Sequence, residues 1–111
     1  MPKAKGIIQT RRECYLCRIL AGLSTTQNLE LHHVFPGSRR QLSDKTGLVV
    51  YLCHEHHTGS SGVHQRKTAA YKVMWDAQDA YEKLYGHEDF MKKFGKDYKA
   101  LETRLEAEDY R

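Results

Sequence analysis

Leu29 to Phe35 (Leu-Glu-Leu-His-His-Val-Phe) alternates apolar and polar residues at its start and turns apolar again at 34–35, a pattern that predicts a strand. Leu48 to Cys53 (Leu-Val-Val-Tyr-Leu-Cys) is rich in β-branched and aromatic residues and predicts a second one. Pro36-Gly37-Ser38 closes the first strand, and 36–47 reads as a polar loop. That loop is long for a hairpin, so it is expected to carry structure or function of its own. Further on the period changes to that of a helix. Ala69, Val73, Ala77, Ala80 and Leu84 recur at helical spacing, which predicts a helix starting near Val63–Gln65 and stopped at Gly86. A short helix over Glu88–Phe94 stopped by Gly95, and a last helix over Asp97–Glu108 with Leu101 and Leu105 four apart, complete the expected elements. Residues 1–10 read as a loose basic arm, and Gly59-Ser60-Ser61-Gly62 as a flexible break. Strands followed by helices point to an α+β fold.

A chain of 111 residues suits one domain with one modest core, and a structural metal is a common staple at that size. No apolar run approaches the length of a membrane span, so no membrane partner is expected. The opening Met-Pro-Lys-Ala-Lys-Gly lacks the apolar stretch of a signal peptide, which makes the cytoplasm, where thiols stay reduced, the expected compartment. The net charge of +4 is uneven: residues 1–72 carry 11 Lys/Arg against 4 Asp/Glu, while residues 73–111 carry 7 against 10. The basic half also holds all three cysteines and six of the seven histidines, so a positive field surrounds the residues with the most chemistry.

Those residues fall into two groups. Cys14-x-x-Cys17 and Cys53-x-x-His56 are two tight turns, each offering two donors, and together they make a closed Cys3His shell for structural zinc. A redox role for the Cys-x-x-Cys pair would call for a βαβ context that is missing. The choice of His56 over His54 or His57 rests on spacing alone. The zinc shell leaves His32, His33 and His57 unspent. Neighbours on a strand point to opposite faces, so His32 and His33 do different jobs: one can ligate a second metal while the other serves as a base.

The run His32-His33-Val34-Phe35-Pro36, then Leu48 to Cys53, then His56-His57, resembles the HNH or ββα-metal (His-Me finger) nucleases. The resemblance covers about residues 14–66, with 67–111 as a helical C-terminal part. Tyr85-Gly86-His87-Glu88-Asp89-Phe90 and Phe94-Gly95-Lys96 are similar, more loosely, to small HNH proteins of phages and prophages. The resemblance implies a ββα-metal centre with zinc knuckles that hydrolyses DNA phosphodiester bonds. His32 and His57 would be catalytic metal ligands, His64 a third imidazole, and His33 the general base. The metal would be Mg2+, Mn2+, Ni2+ or Zn2+, since imidazole tolerates several ions. An imidazole ordinarily titrates at about 6.5, which suits a base at neutral pH. The family's middle Asn is absent, with Gly47 and Leu48 in its place. A backbone carbonyl of the 36–47 loop is the expected substitute for holding His33.

Arg39, Arg40, Lys45, Arg66 and Lys67 are the candidate phosphate contacts. Trp75, Tyr71, Tyr81 and Tyr85 are read as core packing rather than base stacking. His54 is expected to be exposed, and His87 incidental. The mixed-charge face of the last helix suits solvent or a partner helix, so a dimer through the C-terminal helices is one arrangement it allows. The rival reading is a non-catalytic zinc module that binds nucleic acid. A weaker rival is a zinc-based protein-interaction domain using the C-terminal helices.

Overall fold

The computed structural model describes residues 5–35 and 37–100. Two strands, β1 (Glu30–His33) and β2 (Val49–Leu52), pair antiparallel as a two-stranded sheet. The register sets Glu30 opposite Leu52, Leu31 opposite Tyr51, His32 opposite Val50 and His33 opposite Val49. Around the sheet stand α1 (Tyr15–Ala21), α2 (Arg40–Thr46), the single turn α3 (His54–His57), the long α4 (Lys67–Tyr85) and α5 (His87–Phe94). The molecule is a small α+β structure in which both strands are short and helices hold far more of the described residues than strands do.

The expected polar loop is for the most part a helix. Gly37–Arg39 forms a 3-10 turn and leads directly into α2. Periodicity could not reveal α2, because Arg-Gln-Leu-Ser-Asp-Lys-Thr has a single large apolar residue. Its shape comes from its ends and its contacts. Gly47 takes a left-handed conformation (φ +76°) and its N–H closes the last turn on Ser43 and Asp44. Ser43 is fully buried, and its hydroxyl both donates to the Phe35 carbonyl (3.0 Å) and accepts from the Phe35 N–H (3.1 Å). That pair of bonds pins α2 to the end of β1.

The arm over 5–10 is not loose either. Ile7 N–H donates to the Gly47 carbonyl (2.9 Å), and the Gln9 side-chain oxygen accepts from Tyr51 N–H (2.6 Å). The chain thus covers the otherwise unpaired backbone of β2, which is why Val49 is buried on that side as well as Val50 on the other. Leu16, Val34, Phe35, Leu48, Val50, Leu52, Val63, Val73, Ala77, Tyr81, Phe90 and Phe94 form the core. Phe90 and Phe94 stack at 4.5 Å between ring centroids, and Phe35 meets Phe94 at 4.8 Å. This aromatic cluster docks α5 against the end of β1.

The helix expected from 63 begins at Lys67, because 63–66 are spent on a turn. Its buried stripe is Val73, Ala77 and Tyr81, with Gln78 beside them; Leu84, expected on the apolar stripe, and Tyr85, expected in the core, are exposed because the last turn of the helix runs past the aromatic cluster. Tyr81 is core as expected. Trp75 lies beneath two lysine ammoniums, those of Lys72 and Lys99, at 5.7 and 4.8 Å from its ring centre. Residues 98–100 are helical, and the rest of the expected last helix lies outside the described residues. Among the described residues no helix is long and apolar enough to cross a membrane.

Candidate metal centres

Cys14 caps the N-terminus of α1 and brings Cys17 beside it on the first turn; the Cys17 N–H points at the Cys14 sulfur (3.4 Å). The loop before the cap is held by Glu13, whose buried carboxylate accepts two bonds from Arg18 (2.7 and 3.0 Å) and one from Ser24 (2.8 Å). Arg18 first and Ser24 second hold that carboxyl down to about 2. Cys53 and His56 come from the end of β2 and from α3. The four donors converge: His56 Nδ1 lies 3.5, 3.4 and 3.4 Å from the sulfurs of Cys14, Cys17 and Cys53, and Cys17 and Cys53 sulfurs are 3.8 Å apart.

Those separations are the test of fit. Tetrahedral zinc, with bonds of about 2.3 Å to sulfur and about 2.05 Å to nitrogen, requires edges of about 3.8 Å between sulfurs and about 3.6 Å between sulfur and nitrogen. The cluster matches both, and all four ligand atoms lie within 4.8 Å of one another. All three cysteines are free of disulfides. Burial pushes the Cys14 thiol up to about 12, opposed by the N–H groups of Cys53 and Cys17. The Cys14, Cys17, Cys53 and His56 set can hold a metal such as zinc, and His56, chosen by spacing, is the histidine that joins it.

A second group of three imidazoles, His32, His57 and His64, also has its ligand atoms within 4.8 Å. The Nε2 atoms of His57 and His64 are 3.2 Å apart, between the edges of about 3.0 and 3.4 Å expected for octahedral and tetrahedral sites. His32 sits edge-on to both rings, at 5.3 and 5.4 Å between centroids. It is buried, and burial first, then His57 and His64, pushes its pKa down to about 3, so it stands as a neutral imidazole. Three nitrogens alone leave coordination positions open, unlike the four-donor set.

His64 reaches this cluster because of the segment expected to be a flexible break. His64 N–H donates to the His57 carbonyl (3.1 Å) and Val63 N–H to that of His56 (2.9 Å), so the chain doubles back on α3. A β-carbon on Gly62 would lie 2.6 Å from the His57 carbonyl oxygen, and one on Gly59 would lie 2.6 Å from Glu55 Cα. These glycines serve close backbone approach, not mobility. Glu55 completes the turn by accepting from Ser61 N–H (2.8 Å) and the Ser60 hydroxyl (3.0 Å).

The residue that sequence reasoning missed is Glu30. Its carboxylate lies 2.7 Å from His57 Nδ1 and 3.3 Å from His54 Nδ1, and those imidazoles, His57 first, lower its pKa. With Nδ1–H donated to Glu30, Nε2 of His57 is the free nitrogen facing His64. A carboxylate behind a ligand histidine fixes its tautomer and raises its basicity. Glu30 and His32 are two apart on β1 and so share a face, which is the signal that could have found it. Replacing Glu30 with alanine is expected to weaken a divalent ion at the three histidines about 10- to 100-fold, read by titration calorimetry with the zinc set loaded. Unchanged affinity would leave Glu30 only a neighbour of His57.

A cleft of about 310 Å³ is lined by Leu31, His32, His33, Gly37, Arg40, His57 and His64. A second, of about 440 Å³, is lined by His33, Arg40, Gln41, Asp44 and Lys45. His33 and Arg40 line both. The Nε2 of His33 is 3.5 Å from the Asp44 carboxylate; a side chain of α2, rather than a backbone carbonyl of a loop, stands behind this histidine. His54 is exposed, as expected. Of the basic residues, Arg40 and Lys45 line the clefts. Arg66 and Lys67 are exposed near the start of α4, with Arg66 on a separate cleft beside Leu20 and His56. Arg39 points elsewhere: its guanidinium reaches Gly95 at the end of α5, and its Nε is buried without a hydrogen-bond partner among the described residues.

Comparison of the chain with protein-family models, with curated proteins and with solved structures found no match. The chemistry of the two clusters therefore rests on their own geometry.

Proposed function

We propose that the chain is a metal-dependent endonuclease that hydrolyses DNA phosphodiester bonds, with β1, β2 and α3 forming a ββα-metal centre. The observation that carries this reading is the division of the donors into two sets: a closed Cys3His set, and an open set of three histidines sharing a cleft with a fourth, His33. A module that only binds nucleic acid through structural zinc needs the first set and not the second.

The roles follow from position. Cys14, Cys17, Cys53 and His56 tie the N-terminal knuckle to the end of β2 and so hold α3 in place. His32, His57 and His64 hold the divalent ion, with Glu30 orienting His57. Such an ion, when bound, draws in the scissile phosphate and stabilises charge on the leaving 3′ oxygen. His33, on the cleft wall beside that set, takes the proton from the attacking water. Arg40, between the two clefts, steers and binds the phosphate backbone, and Lys45 extends the positive surface along α2. The resemblance of His32-His33 and His56-His57 to the HNH nucleases agrees with these assignments and is the ground for naming DNA.

The test is a metal count paired with a cleavage assay. Purified protein is expected to retain one zinc through dialysis, to take up a second, exchangeable ion, and to nick or linearise supercoiled plasmid with Mg2+ or Mn2+. One zinc with no second ion and no cutting would leave the nucleic-acid-binding module in its place.

A further inference from the structure

We propose that Asp44 is the positioning residue for His33. This inference rests on the nuclease reading of His33 given above. Asp44 sits in the middle of α2 with its Oδ1 3.5 Å from His33 Nε2, and the same oxygen accepts a bond from Lys5 Nζ at 2.8 Å. At 3.5 Å the pair is in electrostatic contact, at the outer limit of a hydrogen bond.

A frame of backbone bonds surrounds this contact. Ser43, the residue before Asp44, is fully buried and bonds both the N–H and the carbonyl of Phe35, two residues beyond His33. The Ser43 carbonyl in turn accepts from Leu48 N–H at 2.8 Å. His33 itself is in register with Val49 on β2. The carboxylate and the imidazole are therefore borne on backbone segments locked to each other on two sides, while Lys5 fixes the carboxylate from a third. An oxygen at Nε2 selects the tautomer with its proton there. That leaves the Nδ1 lone pair free to accept a proton from water. Asp44 itself is half-exposed, so its ion pairs add little to the stability of the fold, and a role in structure alone does not account for the arrangement.

The first test reads the tautomer and needs no activity. Long-range proton–nitrogen spectra of the zinc-loaded protein at about pH 8, where a histidine is ordinarily neutral, are expected to show His33 as a single Nε2–H tautomer. In Asp44→Ala the ring is expected to relax to the tautomer mixture of an unpartnered imidazole, with a measurable Nδ1–H fraction, while the melting temperature holds. The second test is kinetic. Asp44→Ala is expected to lower kcat about 10- to 100-fold with KM for plasmid unchanged. Asp44→Asn, which keeps an accepting oxygen and the same shape, recovers part of the loss. An Nδ1–H tautomer or an unbiased mixture in the wild type overturns the proposal, as does full kcat in Asp44→Ala. A wild type that fails to cut overturns the nuclease reading instead, and the tautomer spectrum still decides for or against Asp44 as the group that sets the ring. The wild-type spectrum and Asp44→Asn also cover the case in which Asp44→Ala does not fold.

Discussion

Cys14→Ser is expected to unfold the protein and to abolish metal binding at the Cys3His set, which zinc fits. Cys14 is fully buried, caps α1 and stands 3.5 Å from His56, so its sulfur joins the N-terminal knuckle to α3 across 42 residues of chain. A serine hydroxyl is a poor zinc ligand, and a three-donor remnant opens the site to water. Zinc in a site of this kind contributes about 10 kcal/mol or more to folding. A small domain has only about 5–15 kcal/mol of net stability to lose. The effect should reach the second cluster as well, because His56 and His57 are adjacent on a helix of one turn. Zinc content by mass spectrometry and a thermal melt by circular dichroism check the expectation. A variant that keeps one zinc and an unchanged melting temperature would show that these four side chains are packed together for some other reason.

Much of this site was legible in the chain because donor spacing is a local property. Two residues between Cys14 and Cys17, and between Cys53 and His56, are enough to place each pair on one turn. Strand alternation separated His32 from His33, and the structure keeps them distinct: His32 buried against His57 and His64, His33 facing Asp44. What was not legible depended on particular contacts and close approaches that leave no periodic pattern in the sequence. The helicity of α2 is secured by Ser43 against Phe35 and by the cap at Gly47, neither of which leaves an apolar period. Composition reads Gly59 and Gly62 as slack, yet they are small so that the chain can fold back onto α3 and deliver His64. Arg39 and Arg40 are indistinguishable as a pair of charges. The turn into α2 sends one toward Gly95 and the other to the clefts.

His33→Ala tests the proposed chemistry most sharply, because the two clusters and the base can be separated experimentally. His33 contributes no donor to either metal set, and its ring lies on the cleft wall at the end of β1. Its removal should therefore leave the fold, both metal counts and the affinity for DNA near their wild-type values. Cleavage is another matter. A positioned base supplies on the order of 10²- to 10⁴-fold in rate, and with no imidazole at 33 the attacking water must lose its proton to solvent. The expected result is a plasmid that is bound but stays supercoiled, in contrast to His57→Ala, where the second ion itself should be lost. Binding by gel shift, metal content by mass spectrometry and cutting by agarose gel, measured on the same preparation, distinguish the two variants. If His33→Ala cuts at the wild-type rate, the proton goes to some other group and His33 serves only as part of the cleft wall.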